Sequence, residues 1–362
     1  MECCVTYPGF PAGHRSVRVL AFGLLALQLS LVAYADGAAD ATRAAYLKII
    51  ERPRVAPRAE LTELAPVEGF QKYHLWFYSD ATERVPGYLL LPDAKAFRGP
   101  RPVIIALHGT GGTKDNPQIA AIALRAARAG FIGVAIDGRF HGERTKAGTG
   151  VAEYNEAIAR AFKTGEGHPF YYDTTWDVMR LIDYLATRKD VDAKRIGLTG
   201  ISKGGIETYL TAAADTRVAA AVPYIGVNSF KWALENGQWR ARIQTIQGAF
   251  DVAAREAGKS PDSVEFVREF YVRVVPGIDG QFDAPALLPL VAPRPLLIVN
   301  GDSDANTPIA GVRLAFRSAK AAYDAMNASD RVVLIVQEDT PHRVNPESID
   351  AGIAWFVRWL EP

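Results

Sequence analysis

From Val103 onward the chain repeats one pattern: a short run of almost wholly apolar residues, then a segment whose apolar residues recur at helical spacing. The runs are Val103–Leu107, Phe131–Ile136, Arg195–Thr199, Ala219–Ile225, Pro295–Asn300 and Arg331–Gln337. The helical segments are Ile119–Ala129, Thr174–Thr187 (with Asp173 placed to cap it), Lys203–Ala214, Ile309–Met326 and Pro346–Leu360. A strand that is apolar on both faces must be covered on both, which is the condition of a parallel sheet between helices. Right-handed crossovers then distribute the helices over the two sides. Two earlier β-rich stretches, Tyr73–Tyr78 and Arg84–Leu91, bring the expected sheet to about eight strands. The fold class is therefore α/β, a mostly parallel, doubly wound sheet. Residues 36 to about 70 read as a polar lead-in with one short helix around Ala41–Ile50, ended by Pro53 and Pro57.

The rhythm breaks once. Residues 228–290 carry several helical patches, too long for a simple connection and too patterned for disorder. They read as a cap inserted over the carboxyl ends of the strands, where sheets of this kind gather their ligands. Trp232 and Trp239 within it, and Tyr171 and Tyr172 before it, read as packing aromatics, with a pocket lining for sugar rings or aryl esters as the alternative.

Composition excludes some classes of function. The chain has 362 residues, 49% hydrophobic and 22% charged, enough for one large core. A net charge of +1 without a run of Lys or Arg gives no nucleic-acid footprint and no polybasic membrane anchor. The N-terminus carries Arg15 and Arg18, then the apolar stretch Val19–Val32, then Ala33-Tyr34-Ala35. Positive region, apolar region and small-x-small site make a secretory signal over residues 1–35, implying export to the periplasm or outside the cell. The stretch is about 14 residues, short of the roughly 20 that span a bilayer; an uncleaved anchor helix is the competing reading. The two cysteines, Cys3 and Cys4, fall inside this leader, so a mature chain from residue 36 has no disulfide.

The strand-to-helix loops carry the candidate chemistry. Gly200-Ile201-Ser202-Lys203-Gly204 sits between a strand and a helix, the setting of a nucleophile elbow. Glycines two positions either side of Ser202 avoid a backbone collision in that turn and leave its hydroxyl exposed at a helix start. A serine hydroxyl needs a base and the base needs an orienting carboxylate, which in such sheets follow in the order acid, then histidine. Gly301-Asp302-Ser303-Asp304 follows one late strand and Thr340-Pro341-His342 the next. The expected set is Ser202, Asp304 and His342; Asp302 and Asp339 are the other carboxylates in reach of the same loops. The glycine-rich turn His108-Gly109-Thr110-Gly111-Gly112 is placed to offer an amide to a developing oxyanion, from Thr110 or, in reserve, Gly111. The second amide would be that of Lys203. His108 reads as structural. No His, Asp or Glu spacing matches a metal site, and no cofactor is implied.

With these pieces placed, the chain from about Tyr73 onward resembles the α/β-hydrolase superfamily. Within it, the texture is similar to the dienelactone-hydrolase and acetyl-xylan-esterase-like branches and to prolyl-oligopeptidase catalytic domains. The residues that carry the resemblance are His108-Gly109, Asp137-Gly138-Arg139-Phe140-His141-Gly142, the Ser202 elbow, Gly301 to Asp304, and His342. Phe140 stands where the branch usually has glycine, and Lys203 where many relatives carry an apolar or aromatic residue. The resemblance implies a serine hydrolase acting on small-molecule carboxylic esters. A peptidase of the prolyl-oligopeptidase type, and a non-catalytic binding protein on the same fold, are the alternatives.

Overall fold

The computed structural model describes residues 37, 39–148 and 150–362; the leader expected over residues 1–35 lies outside them. The compact unit is Thr42–Pro362. One nine-stranded sheet runs through it: β1 (Glu60–Val67), β2 (Phe70–Tyr78), β3 (Arg84–Leu90), β4 (Arg101–Leu107), β5 (Ile132–Ile136), β6 (Val191–Ile201), β7 (Val218–Tyr224), β8 (Leu296–Gly301) and β9 (Val332–Gln337). Their spatial order is β1-β2-β3-β5-β4-β6-β7-β8-β9. The contacts β1–β2, β2–β3 and β3–β5 are antiparallel, and every later pair is parallel.

The ninth strand is a correction. β1, sequence ELTELAPV, lies in what reads as a lead-in, and all but its last residue are exposed. With neither face buried, it shows no hydrophobic signature. It is held by backbone pairing to β2, Glu60 opposite Trp76 and Leu64 opposite Lys72, with a shift in register before Val67. Its glutamates suit an edge strand, where charge discourages pairing with other chains.

The parallel strands are buried as the apolar runs require: β5 is buried at every position, and so is β4 beyond its first residue. Helix α1 (39–50) supplies Tyr46 and Ile50 to the core. Helices α2 (Pro117–Arg128) and α12 (Pro346–Leu360) bury one apolar stripe each against the sheet, Ile119, Ile122 and Ala126 from the first, Ile349 and Phe356 from the second. Two helices differ from the sequence reading. Helix α4 runs Tyr172–Leu185, so Asp173 stands inside the first turn; its carboxylate accepts the amide of His168 at 3.0 Å and pairs with Arg52. Helix α3 (Ala152–Thr164) is unforeseen, although Tyr154, Ala157, Ile158, Ala161 and Phe162 form a buried stripe at helical spacing.

Helix α5 (Lys203–Ala214) is the central helix, buried along its entire length. Between β7 and β8 lie five short helices: α6 (Phe230–Glu235), α7 (Arg240–Gln244), α8 (Gln247–Ala257), α9 (Val264–Val274) and α10 (Ala284–Leu287). Phe162 of α3 meets Phe266 and Phe270 of α9 with ring centroids 5.8 and 5.7 Å apart, and Phe250 of α8 meets the same two rings. This aromatic knot joins the helical segment to a helix from before β6. Helix α11 (Ile309–Ala325) completes the set.

Candidate active site

The turn between β6 and α5 sets the site. Ser202 stands at the helix start with φ +58° and ψ −113°, a strained conformation for a residue with a side chain. Its amide donates to the Tyr224 carbonyl at 2.9 Å, which pins the turn to β7. A Cβ on Gly200 would strike the backbone of Gly204, and one on Gly204 would strike the carbonyl of Leu107. Both glycines are therefore demanded by contact as well as by pattern, and the Ser202 hydroxyl is left at the positive end of a helix.

Two loops from the far half of the sheet reach it. His342 Nε2 lies 2.7 Å from Ser202 Oγ, and His342 Nδ1 lies 2.7 Å from Asp304 Oδ2. The Asp304 side chain is fully buried, while that of His342 keeps 26% exposure. Asp304 also accepts the amides of Asn306 (2.8 Å) and Thr307 (3.2 Å) and the Thr307 hydroxyl (2.6 Å). Burial alone would raise its pKa, but these bonds and the His342 contact hold it below the ordinary carboxylate value.

Asp302 does a different job. It is solvated, and its carboxylate accepts the Thr340 amide at 3.2 Å, tying the loop after β8 to the loop that carries His342. Gln337 adds a second tie, donating to the Arg343 carbonyl at 2.9 Å and accepting the Asn345 amide at 2.8 Å. Asp339 is exposed with φ +46°, at a turn, and the carboxylate on His342 Nδ1 is that of Asp304. Thr307 and Gln337 were invisible to sequence reasoning because polar residues at strand ends and loops are common; only the fold shows what they hold.

The glycine-rich turn after β4 passes beside Ser202: a Cβ on Gly109 would lie 3.4 Å from that of Ser202. Gly112 bonds back to Gly109 at 3.0 Å. Gly111 is a correction: its amide donates to His141 Nε2 at 3.1 Å and is not available to an oxyanion. Thr110 lines the cavity that contains Ser202. The Lys203 amide belongs to the first turn of α5, where a helix supplies no acceptor. The Lys203 side chain turns inward and meets Glu207.

The cavity over Ser202 has a volume of about 380 Å³ and is lined by Gly109, Thr110, Val151, Ile201, Ile225 and Thr245 around Ser202 and His342, with Gln118, Asn306 and Arg343 at its polar side. A larger hollow of about 570 Å³ lies at the opposite end of the strands, lined by Arg195, Arg217, Arg294 and Arg331 among others. Three of these arginines are engaged by Asp192, by Asp215 and by main-chain carbonyls. Tyr171, Tyr172 and Trp239 are buried and, with Trp232, are not among the residues lining the Ser202 cavity.

A family model described as acetyl xylan esterase (AXE1) matches residues 48–241, more than half of the chain. This chain belongs to the acetyl xylan esterase family. It is thus a member of a family of hydrolytic esterases on the α/β-hydrolase fold. Among similar proteins, the hydrolase YtaP of Bacillus subtilis (strain 168) is 26% identical over 289 residues, covering 77% of this chain and 84% of its own. The esterase YitV of the same organism is 25% identical over 260 residues, covering 72% and 89%. The fold matches acetyl xylan esterase 1 of a Thermoanaerobacterium species with a TM-score of 0.65 at 20% identity, over 89% of this chain and 93% of that one. It also matches methylesterase BT1017, with a TM-score of 0.64 at 20% identity, but this chain spans only 63% of that protein's length. No helix among the described residues is long and apolar enough to cross a membrane.

Proposed function

We propose that this esterase is a serine-dependent hydrolase of small acyl or acetyl esters. The carrying observation is the single imidazole of His342 set 2.7 Å from both the Ser202 hydroxyl and the Asp304 carboxylate. In the proposed reaction, His342 Nε2 takes the Ser202 proton as Oγ attacks the ester carbonyl. Asp304, accepting from Nδ1, steadies the imidazolium. The amides of Lys203 and Thr110 receive the oxyanion. His342 then returns the proton to the leaving alkoxide, and water repeats the sequence to release the acid. These steps use no metal or cofactor.

The small aliphatic walls given by Val151, Ile201 and Ile225 suit a short acyl group, and the names of the related esterases favour acetyl. The segment 228–290, contributing Thr245 to the cavity wall, acts in this reading as a cap over the site. Residues 1–35 act as an export signal, so the esterase works in the periplasm or outside the cell. Ser202→Ala should lower kcat on p-nitrophenyl acetate by about 10⁴-fold or more, with the fold intact by circular dichroism. Hydrolysis at the parental rate would refute the assignment.

A further inference from the structure

Directly behind the Ser202 turn lies a charged pair that the reaction above does not use. Lys203 and Glu207, one turn apart on α5, each keep 1% side-chain exposure, and Nζ stands 2.6 Å from Oε1. Neither atom has another hydrogen-bond partner among the described residues, so each depends on the other as an ion pair. Burying two charges is costly, and a hydrophobic pair of similar volume commonly serves stability as well or better. A pair kept at this position calls for a reason other than stability.

The surroundings supply one. His108 and His141 are buried side by side, ring centroids 5.0 Å apart. Each uses Nδ1 to donate to a carbonyl, His108 to Gly109 at 2.8 Å and His141 to Arg139 at 2.7 Å. Each uses Nε2 to accept a glycine amide, His108 that of Gly138 at 2.9 Å and His141 that of Gly111 at 3.1 Å. Acceptance at Nε2 requires an unprotonated ring; a proton there would face the amide N–H head-on. The Lys203 ammonium sits at this junction. A methyl on Gly138 would lie 2.7 Å from Lys203 Nζ, 3.3 Å from Thr174 Oγ1 and 3.6 Å from His108 Nε2, so these polar atoms converge over a bare Cα.

We propose that Lys203 is a positioning residue for the oxyanion loop: its side chain cancels the buried Glu207 charge that would otherwise draw a proton onto His108 or His141, and the neutral rings hold Gly111 and Gly138 in place. This rests on the reading that the 108–112 loop serves the oxyanion. Burial first, then the Lys203 charge, pushes His108 down to about 3 and His141 to about 2. The other cations facing the rings are Lys114 and Arg144, with the Tyr154 ring 4.6 Å from His141. The nearby carboxylates are each engaged elsewhere. Asp137 accepts the amides of Lys114 and Glu143, Asp177 pairs with Arg139 and Arg144, and Asp173 pairs with Arg52. Glu207 is the one whose partner is Lys203 itself. Removing the cation would leave Glu207 to draw a proton toward the rings.

The experiment follows ring-¹⁵N NMR of His108 and His141 against pH in the full chain, beside the pH profile of kcat/KM on p-nitrophenyl acetate. In the parent both rings should stay neutral down to about pH 5. Lys203→Met should bring at least one ring into titration above about pH 5, with kcat/KM falling as that ring gains its proton. Glu207→Gln breaks the same pair but should leave rings and acid limb where they were. Lys203→Met with Glu207→Gln should restore the parental limb, and this neutral pair also covers the case in which Lys203→Met fails to fold. Equal damage from the two single substitutions, or rings that stay neutral in Lys203→Met, would overturn the device. The NMR readout does not depend on turnover, so failure of the Ser202 assignment would be seen separately as hydrolysis surviving Ser202→Ala.

Discussion

His342 and the pair His108/His141 are the same side chain put to opposite use by their surroundings. His342 sits on a loop, partly solvated, between a hydroxyl and a buried carboxylate. A carboxylate on Nδ1 orients the ring so that Nε2 faces the hydroxyl, which is what the proposed base needs. His108 and His141 sit behind the sheet's carboxyl edge with no carboxylate on either ring, accept amides at Nε2, and face cations. In the proposed reading the first environment makes a proton carrier and the second a fixed strut. Histidine alone thus says little about function; the group facing each nitrogen decides it.

The sharpest way to break the contrast is to remove the carboxylate. Asp304→Asn should lower kcat/KM by about 10⁴-fold at pH 7, because the imidazolium loses its partner and the wrong tautomer is favoured. Asp302→Asn, two residues away, should leave activity close to the parent, since Asp302 ties loops and does not touch His342. Comparable losses from both would dissolve the distinction drawn between them.

A smaller effect separates the struts by acid stability. Their folded pKa values, about 3 and about 2, lie below the unfolded value of about 6.5. Below pH 6.5 the unfolded chain therefore binds protons that the folded rings refuse. Stability from this source is complete above about pH 6.5 and falls as pH drops. Between pH 7.5 and 5.5 each ring should cost on the order of 1 kcal/mol. Urea midpoints should show that decline, and a His108→Asn, His141→Asn variant should lose less over the same interval than the parent. An identical slope in both would contradict neutral, buried rings.

The smallest effect concerns the loop that carries His141. Phe140 has φ +58°, a left-handed conformation that costs a residue with a side chain about 1 kcal/mol. Phe140→Gly should recover roughly that amount in thermal unfolding with the His141 contacts unchanged, less whatever packing the half-buried ring supplies.

How much of this was legible beforehand follows the same division. The parallel strands, α5 and the loops that bring Ser202, Asp304 and His342 together were readable because apolar runs and the Ser202 glycines each reflect a local requirement. β1 was not, since an exposed edge strand buries nothing and is fixed by backbone pairing alone. Helix α3 carries the right spacing in Tyr154, Ala157, Ile158, Ala161 and Phe162, but glycine-containing loops on either side cut the pattern short. That the Gly111 amide is occupied depended on His141, thirty positions away. Contacts that join distant loops through single polar atoms leave no periodic trace.

The most direct measurement is to expose the folded protein to a fluorophosphonate and map the adduct by peptide mass spectrometry. The account predicts one adduct, on Ser202, formed far more slowly in His342→Ala and absent in Ser202→Ala. No adduct on Ser202 in the folded parent, or labelling at the same rate without His342, would contradict it.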